Sequence, residues 1–198
     1  MISSLEVWDA QLAAAAARLI AARVDVVTRL RPWAASSYER VSQGQSAAHL
    51  AYRSSLLLHE GRAEPDPSDD MAVTDAETAL NDVSSIAMRL EAAMSELRDR
   101  EIDRGANLVG AHRDDLILHV GALPAKGFAS HGEQWSLALA LRLASYEMLR
   151  HDVDAYGGDG EPVLILDDVF ASLDAGRRAA LAGVVVGAQQ ALLTAAVD

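Results

Sequence analysis

The sequence predicts a fold of the α+β or α/β class, in which a long helical arm precedes a small sheet with parallel strands. Two long stretches in residues 1–104 repeat apolar residues at spacings of three and four, which is typical of amphipathic helices. In residues 105–198 two short apolar runs flank a helical stretch, which indicates a β-α-β unit. We therefore expect an arm at 1–104 and a sheet-containing part at 105–198.

Length, composition and charge exclude several classes of protein. The 198 residues suffice for one domain or two small ones, and the lack of cysteine excludes disulfides and thiolate metal sites. The net charge of −12 argues against binding nucleic acid over a broad face, so any DNA contact must be local or shared with other subunits. No signal segment and no apolar run of roughly 20 residues is present, so we expect a cytoplasmic protein without a membrane span.

The arm is expected to consist of two long helices with a small strand region between them. The first helix spans residues 3 to about 31 and ends before Pro32, because proline disfavours helix in the residue that precedes it. The segment 47–58 is predicted as a strand. The second helix runs from Thr74 to about residue 104 and begins with a capping box of Thr74 and Glu77. We expect the two helices to pack as an antiparallel pair by burying their apolar stripes. The stripe of the first helix is Trp8, Leu12, Ala15, Leu19, Ala22, Val26 and Leu30, and that of the second is Leu80, Val83, Ala87, Leu90, Met94 and Leu97.

The sheet-containing part is expected to alternate short strands with helices. Its elements are strands at 116–120 and 125–129 around a turn at 121–124, a helix at 132–151, a loop at 157–160, a strand at 163–166, a helix at 175–187 capped by Asp174, and a strand at 191–195.

A pair of carboxylates, Asp167 and Asp168, directly follows the apolar run 163–166. A short, wholly apolar run is typical of a strand buried on both faces, and its end lies at the sheet edge where ligands of open α/β folds bind. The pattern is that of the Walker B motif, in which one carboxylate holds Mg²⁺ through water and its neighbour orients the attacking water. The alternative is a buried strand whose aspartates only cap the next turn.

A second pattern, Ser130, Gly132 and Gln134, stands at the predicted start of the helix at 132–151. Unpaired amides, the positive end of the helix dipole and a serine hydroxyl together favour an anion. An ordinary helix cap is the alternative. The pattern gains weight because the Walker B-like strand follows about one helix and one loop later.

This order and spacing resemble the heads of ABC-type ATPases, and within them the RecF family. Four segments carry the resemblance: the run from Asp167 to Asp174, the segment from Gly110 to Leu116, the lead from Lys126 to Ser130, and the apolar run from Leu192 to Ala195. The Asp-Asp ending and the Val169-Phe170 that follows it are similar to the family, whereas other heads usually show Asp-Glu. The resemblance is sharp over 105–198 and softer over 1–104.

The resemblance implies a role for each motif in binding and hydrolysing ATP. Asp167 organises Mg²⁺ through water, and Asp168 positions or activates the attacking water. Ser130, Gly132 and Gln134 form the signature motif, which closes over the γ-phosphate of ATP on the opposing subunit. Ser172, Leu173 and Asp174 stand where the D-loop stands, at the same dimer interface.

The resemblance also implies a biological role and partners. RecF proteins bind ATP and DNA, dimerise through ATP, engage RecR and RecO, and help to load RecA at single-strand gaps. We therefore expect a function in DNA recombination, repair, replication and the SOS response, with ATP and Mg²⁺ as cofactors.

Two departures from the family pattern limit these expectations. Glu133 stands where many relatives carry Gln or Ser. Lys126 is the only lysine and is followed by Gly127 and Phe128, so the phosphate-binding loop GxxxxGK[ST] does not occur in these residues. The chain thus resembles the C-terminal part of the family's proteins without the Walker A lobe, and we expect no turnover from it alone.

Several alternatives stay open from the sequence. The chain is a RecF-type ATPase half, a non-enzymatic fragment that docks on an intact ATPase subunit, an SMC-like or transporter head, or a gene remnant that exposes an unpaired strand edge and dissolves poorly. His112, Arg113, Asp114 and Asp115 fit either a metal site or a structural turn. Arg177 and Arg178 fit either a phosphate or partner contact or a solvated helix surface.

Overall fold

A computed structural model describes residues 2–44, 46–152, 161–169 and 175–194, and it contains seven helical segments and five strands within these ranges. In chain order they are α1 (Ile2–Ser42), β1 (Ala48–Arg53), α2 (Ser55–His59), α3 (Asp70–Thr78), α4 (Val83–Arg104), β2 (Asp115–Val120), β3 (Leu123–Pro124), α5 (Ala125–Phe128), α6 (His131–Arg150), β4 (Leu164–Asp167), α7 (Ala175–Gly187) and β5 (Ala191–Thr194). The strands form a sheet of order β1-β2-β3 and a parallel pair, β4-β5. This mixed, helix-rich fold confirms the predicted class.

Helix α1 continues through Pro32 to Ser42, so the predicted end at Pro32 is wrong. Proline inside a helix costs about 3 kcal/mol, since it removes one hydrogen bond and crowds the preceding turn. Beyond Pro32 the side chains of Ala34, Tyr38 and Val41 are buried at helical spacing. Their burial offsets the cost of the proline, and the helix therefore persists for almost three further turns.

The buried face of α1 also differs from the predicted one. Trp8, Leu19 and Val26 are exposed, whereas Leu30 is buried as predicted. The core instead takes residues that lie one position away along the helix, which rotates the buried stripe by about 100°. These residues are Ala13, Ala16, Ala17, Ile20, Val24 and Val27.

The predicted second helix is divided into α3 and α4, so the capping box of Thr74 and Glu77 is a wrong prediction. Asp69 caps α3 through the amides of Met71 and Ala72, and Thr74 lies inside that helix. Asp82 caps α4 at Ser84 with a distance of 3.0 Å. Aspartate is a strong helix cap, so each carboxylate starts its own helix. The predicted residues Leu80, Leu90, Met94 and Leu97 are buried.

Two predicted strands differ from the observed ones in where they begin or end. The strand predicted at 47–58 ends at Arg53, and α2 follows it. The return strand predicted at 125–129 is wrong. The observed β3 lies within the predicted turn 121–124 and pairs antiparallel with β2 across a turn at Gly121. Gly121 has a φ of +58°, which glycine adopts without the steric penalty of a Cβ. Residues Ala125–Phe128 form a short turn instead, in which Lys126 and Gly127 have non-helical backbone angles.

The chain divides into two compact units, each with its own apolar core. The first unit comprises Met1–Thr28 and Leu50–Leu118, and the second comprises Arg29–His49 and His119–Asp198. The first core joins α1 to α4 through side chains such as Ile20, Ile86 and Leu90. The sequence predicts a different division, with a helical arm before residue 104 and an ATPase head after it. This boundary stays a prediction.

The second unit contains the predicted β-α-β element. Strands β4 and β5 are parallel and α7 connects them, with Leu164 opposite Ala191 and Asp167 opposite Thr194. The predicted strands and helix lie within a few residues of those observed. The loop at 157–160, the segment Ser172-Leu173-Asp174 and Ala195 lie outside the described residues. No helix in the described ranges has the length and apolar character needed to cross a membrane.

Candidate functional site

Two adjacent carboxylates stand at the end of strand β4. Leu164 and Leu166 are buried, whereas Ile165 and Asp167 are exposed, so the expected burial of this strand on both faces is wrong. Alternate side chains of a strand point to opposite faces, and only one face of β4 packs on the core. Asp167 is the last residue of the strand, and Asp168 follows it and is exposed. The two leucines thus anchor the strand, and its end presents both carboxylates at the carboxyl edge of the parallel pair. This is the edge at which open α/β sheets bind ligands.

Thr194, at the end of β5, connects the two parallel strands at this edge. Its hydroxyl donates a hydrogen bond to the carboxylate of Asp167. The backbone amide of Asp168 donates to the same hydroxyl at 3.1 Å and to the carbonyl of Thr194 at 3.2 Å. A hydroxyl has one hydrogen to donate and lone pairs to accept, so these bonds coexist. Sequence reasoning assigned Thr194 no role. The signal available was a polar residue at the end of an apolar strand.

Asp168 has a backbone φ of +49°, in the left-handed region. Few residues other than glycine adopt this conformation, although aspartate tolerates it better than most. The bonds to Thr194 hold the strained residue in place. Such strain concentrates at active sites and ligand clamps, where the surrounding structure enforces it.

Ser130 begins α6 with a complete capping box. Its hydroxyl accepts a hydrogen bond from the Glu133 amide at 3.3 Å. The Glu133 carboxylate accepts from the Ser130 amide at 2.8 Å and from its hydroxyl at 2.7 Å. The hydroxyl bond, then the amide bond, hold the pKa of Glu133 below its ordinary value, because both favour the charged form. The helix cap, which the sequence left as an alternative, is therefore present, and it places a negative charge at the start of α6.

Gly132 lies in the first turn of α6, next to Arg177 in the first turn of α7. A Cβ on Gly132 would lie 3.5 Å from Nη2 and 3.9 Å from Nη1 of Arg177. The guanidinium therefore packs over a surface that the glycine leaves bare. Gln134 is exposed, and its side-chain amide donates to the Ala129 carbonyl at 2.8 Å. This bond fastens Gln134 to the segment that precedes the helix.

One apolar core positions both parts of the candidate site. Helix α6 contributes Leu139 and Leu143 to it, and β4 contributes its two buried leucines. Helix α7 contributes Leu181 and Val184. The start of α6, the end of β4 and the start of α7 therefore belong to the same packed unit. The proposed D-loop residue Asp174 lies outside the described residues, and its role stays a prediction.

The segment from His112 to Asp114 forms a structural turn in the first unit, and Asp115 begins β2. The Asp114 carboxylate accepts hydrogen bonds from the Tyr52 hydroxyl at 2.6 Å and from the amide and hydroxyl of Ser55 at 2.6 and 2.7 Å. Burial, then the bond to Asp114, raise the pKa of Tyr52. Both oxygens of Asp114 are thus engaged. No cluster of three or more His, Cys, Asp or Glu suited to a metal ion occurs in the described ranges.

The donors around Asp167 suit a hard divalent cation. They are the carboxylates of Asp167 and Asp168 and the hydroxyl of Thr194, all oxygen atoms at one strand edge. Mg²⁺ prefers oxygen ligands, keeps several waters and usually takes one or two carboxylates together with phosphates. The residues therefore fit an ion held through water.

Curated relatives match almost all of this chain. The DNA replication and repair protein RecF of Beutenbergia cavernae is 54% identical over 196 residues, which is 99% of this chain and 48% of the relative. Proteins of the same name from Kineococcus radiotolerans and Renibacterium salmoninarum are 51% and 46% identical over 195 and 200 residues, and 47% and 49% of their lengths are covered. The chain thus spans about half the length of these relatives. No family model matches it.

Solved structures share the fold. The recombination mediator protein RecF of the RecFOR pathway, as RecF-ATPrS, matches with a TM-score of 0.74 and 21% identity, over 99% of this chain and 46% of that one. The RecF-ATP structure matches with a TM-score of 0.73 and 22% identity.

The β4-α7-β5 unit and the capped helix on the same core belong to a mixed helix and sheet fold that matches the solved RecF structures. Curated proteins named RecF are 46–54% identical to this chain over nearly its whole length. The chain belongs to the RecF family, which confirms the family predicted from its motifs over the alternative heads.

Proposed function

We propose that this chain supplies the signature and Walker B half of a RecF-type ATPase that acts in DNA replication, recombination and repair. The main support is the pair Asp167 and Asp168 at the carboxyl end of β4, with Asp167 oriented by Thr194. The relatives named as DNA replication and repair proteins support the biological role.

Each residue of the site has a distinct task in this proposal. Bound Mg²⁺ would draw charge from the phosphates of ATP, and Asp167 would hold the ion through water. Asp168 would orient or activate the water that attacks the terminal phosphate. The signature residues Ser130, Gly132 and Gln134 would stabilise that phosphate on an opposing subunit, and Asp174 would support the interface.

The whole protein would bind DNA and act with partners of the recombination pathway in the cytoplasm. It would dimerise through ATP, engage RecR and RecO, and help to load RecA at single-strand gaps. The net charge of −12 on this half implies that its own DNA contacts are local.

A chimera tests the catalytic proposal. The matching 196 residues of the Beutenbergia cavernae relative are replaced by this chain, and DNA-dependent ATP hydrolysis is measured. We expect turnover close to that of the unaltered relative. A chimera that folds and binds ATP without hydrolysing it, although the relative hydrolyses it under the same conditions, would contradict the proposal.

A second proposal is that the chain alone acts as a docking module. The exposed Ser130 at the start of α6 favours it. The chain would complete the ATP site of an intact relative without hydrolysing ATP by itself. Co-elution with the Beutenbergia cavernae relative in Mg²⁺-ATP, but not in Mg²⁺-ADP, is the expected result. Equal co-elution with both nucleotides would contradict it.

A further inference from the structure

Arg177, in the first turn of α7, lies beside Gly132 of the proposed signature. Its guanidinium lies over Gly132, with Nη2 at 3.5 Å from the place of a Cβ. The side chain is partly buried, whereas that of the next residue, Arg178, is exposed. Because successive residues on a helix point about 100° apart, Arg177 faces α6 and Arg178 does not share that face.

The negative charge of Glu133 at the start of α6 makes the position of Arg177 important for binding a phosphate. The Glu133 carboxylate already takes the hydroxyl and the amide of Ser130, the donors that a phosphate would use. A terminal phosphate that approached Ser130 would meet this negative charge. A guanidinium beside Gly132 is positioned to offset the repulsion and to donate to phosphate oxygens.

We propose that Arg177 is a further phosphate-binding residue of the signature, where it offers its guanidinium to the terminal phosphate of ATP held by an opposing subunit and compensates for Glu133. This inference rests on the proposed function, because that function brings the phosphate to α6. Arginine suits the task better than lysine, since its planar fork can donate two parallel hydrogen bonds.

The test measures nucleotide-dependent association of the whole chain with the Beutenbergia cavernae relative. The chain has no cysteine, so a dye on one added N-terminal cysteine reports on it alone. Fluorescence-detected sedimentation then gives its affinity for the relative in Mg²⁺-ATP and in Mg²⁺-ADP. For Arg177→Ala we expect an affinity in ATP that is ~10-fold to ~100-fold weaker, as for the loss of a charged hydrogen bond. Arg178→Ala is the matched control and should bind like the wild type.

A double-mutant cycle separates compensation from a structural role. Glu133→Gln removes the negative charge, and glutamine still completes a capping box. We expect the penalty of Arg177→Ala to shrink at least ~3-fold in the Glu133→Gln background, because less repulsion needs to be offset. An unchanged penalty would overturn the compensation.

The lysine variant and the wild type in ATP show whether a negative result concerns Arg177 or the proposed function. Arg177→Lys keeps the charge without the fork and should bind between the wild type and Arg177→Ala, with all variants melting alike by circular dichroism. If the wild type associates in ATP and Arg177→Ala associates equally well, the role of Arg177 is wrong and the proposed function stands. If the wild type does not associate in ATP, the proposed function as a signature half fails, and this inference fails with it.

Discussion

Thr194 donates its hydroxyl hydrogen bond to the carboxylate of Asp167, its register partner across the parallel strands. The same hydroxyl accepts from the amide of Asp168. One side chain thus sets the geometry of both aspartates, and it does so from the neighbouring strand.

Replacing Thr194 with valine should therefore impair turnover without unfolding the protein. Valine keeps the branched shape and loses the hydroxyl, so Asp167 loses its donor at an exposed position. In the chimera we expect ATP hydrolysis to fall ~10-fold to ~100-fold, the usual loss for a residue that orients a metal-binding carboxylate, which is the role we propose for Asp167. Thr194→Ser keeps the hydroxyl and should retain most activity. Equal rates for the valine and serine variants would refute the orienting role.

Asp114 should matter for stability far more than its neighbour Asp115. Asp114→Ala removes three hydrogen bonds and leaves the Tyr52 hydroxyl without that acceptor. We expect a loss of about 3 kcal/mol in the free energy of unfolding, measured by urea denaturation. Asp115 is exposed, and Asp115→Ala should change it by less than about 0.5 kcal/mol. Similar losses for both variants would contradict the assignment of Asp114 as the anchor of this turn.

Glu161 should make stability depend on pH in the acid range. The hydrogen bond from the Tyr146 hydroxyl at 2.7 Å is the largest influence that holds the pKa of Glu161 below its ordinary value of 4.5. Burial, then the bond to Glu161, raise the pKa of Tyr146 to about 12, so the phenol remains a donor at neutral and acid pH.

Because the pKa of Glu161 is lowered in the folded state, the protein should lose stability as the pH falls. The folded state favours the charged carboxylate, so its contribution is complete above 4.5 and is lost as the pH falls through the folded-state pKa. Urea denaturation between about pH 6 and about pH 3 should show a steeper fall in stability for the wild type than for Glu161→Gln. Parallel pH profiles for the two proteins would contradict this coupling.

The exposed face of the β4-β5 pair should drive self-association of the isolated chain. Ile165 and Leu192 are register partners and are 65% and 60% exposed. Apolar faces and open strand edges of this kind favour aggregation. In sedimentation at rising concentration, the wild type should self-associate, and Ile165→Thr combined with Leu192→Thr should do so less. Val186→Thr, which changes an exposed apolar residue on α7, is the control. A monodisperse wild-type monomer at all concentrations would contradict the prediction.

The strand that ends at Asp167 could be predicted closely because its signal is local. A short apolar run ends at two aspartates, and the observed strand Leu164–Asp167 is shifted by only one residue. The signal for the start of α6 was equally local, since a helix cap at Ser130 was one of the two alternatives, although the capping box with Glu133 was not predicted. The same pattern misled at Thr74 and Glu77, because sequence alone does not rank these residues against Asp69 and Asp82 as caps.

Features that depend on packing or register could not be predicted. The helix through Pro32 persists because Ala34 and Tyr38 are buried, and their burial depends on the partner elements. The bond between Thr194 and Asp167 requires the exact register of two strands that α7 separates in sequence. The sequence fits either a phosphate or partner contact or a solvated surface for Arg177, and its place beside Gly132 depends on how two helices pack.

The most direct test of the central claim is single-turnover ATP hydrolysis by the chimera with Asp168→Asn, with ATP binding measured in parallel. Asparagine keeps the shape and the tolerance of a left-handed φ, and removes the charge that would orient or activate water. We predict ATP binding within about threefold of the parent chimera and hydrolysis reduced by ~10²-fold or more. Retained hydrolysis by the asparagine variant would contradict the account of Asp167 and Asp168 as the catalytic pair.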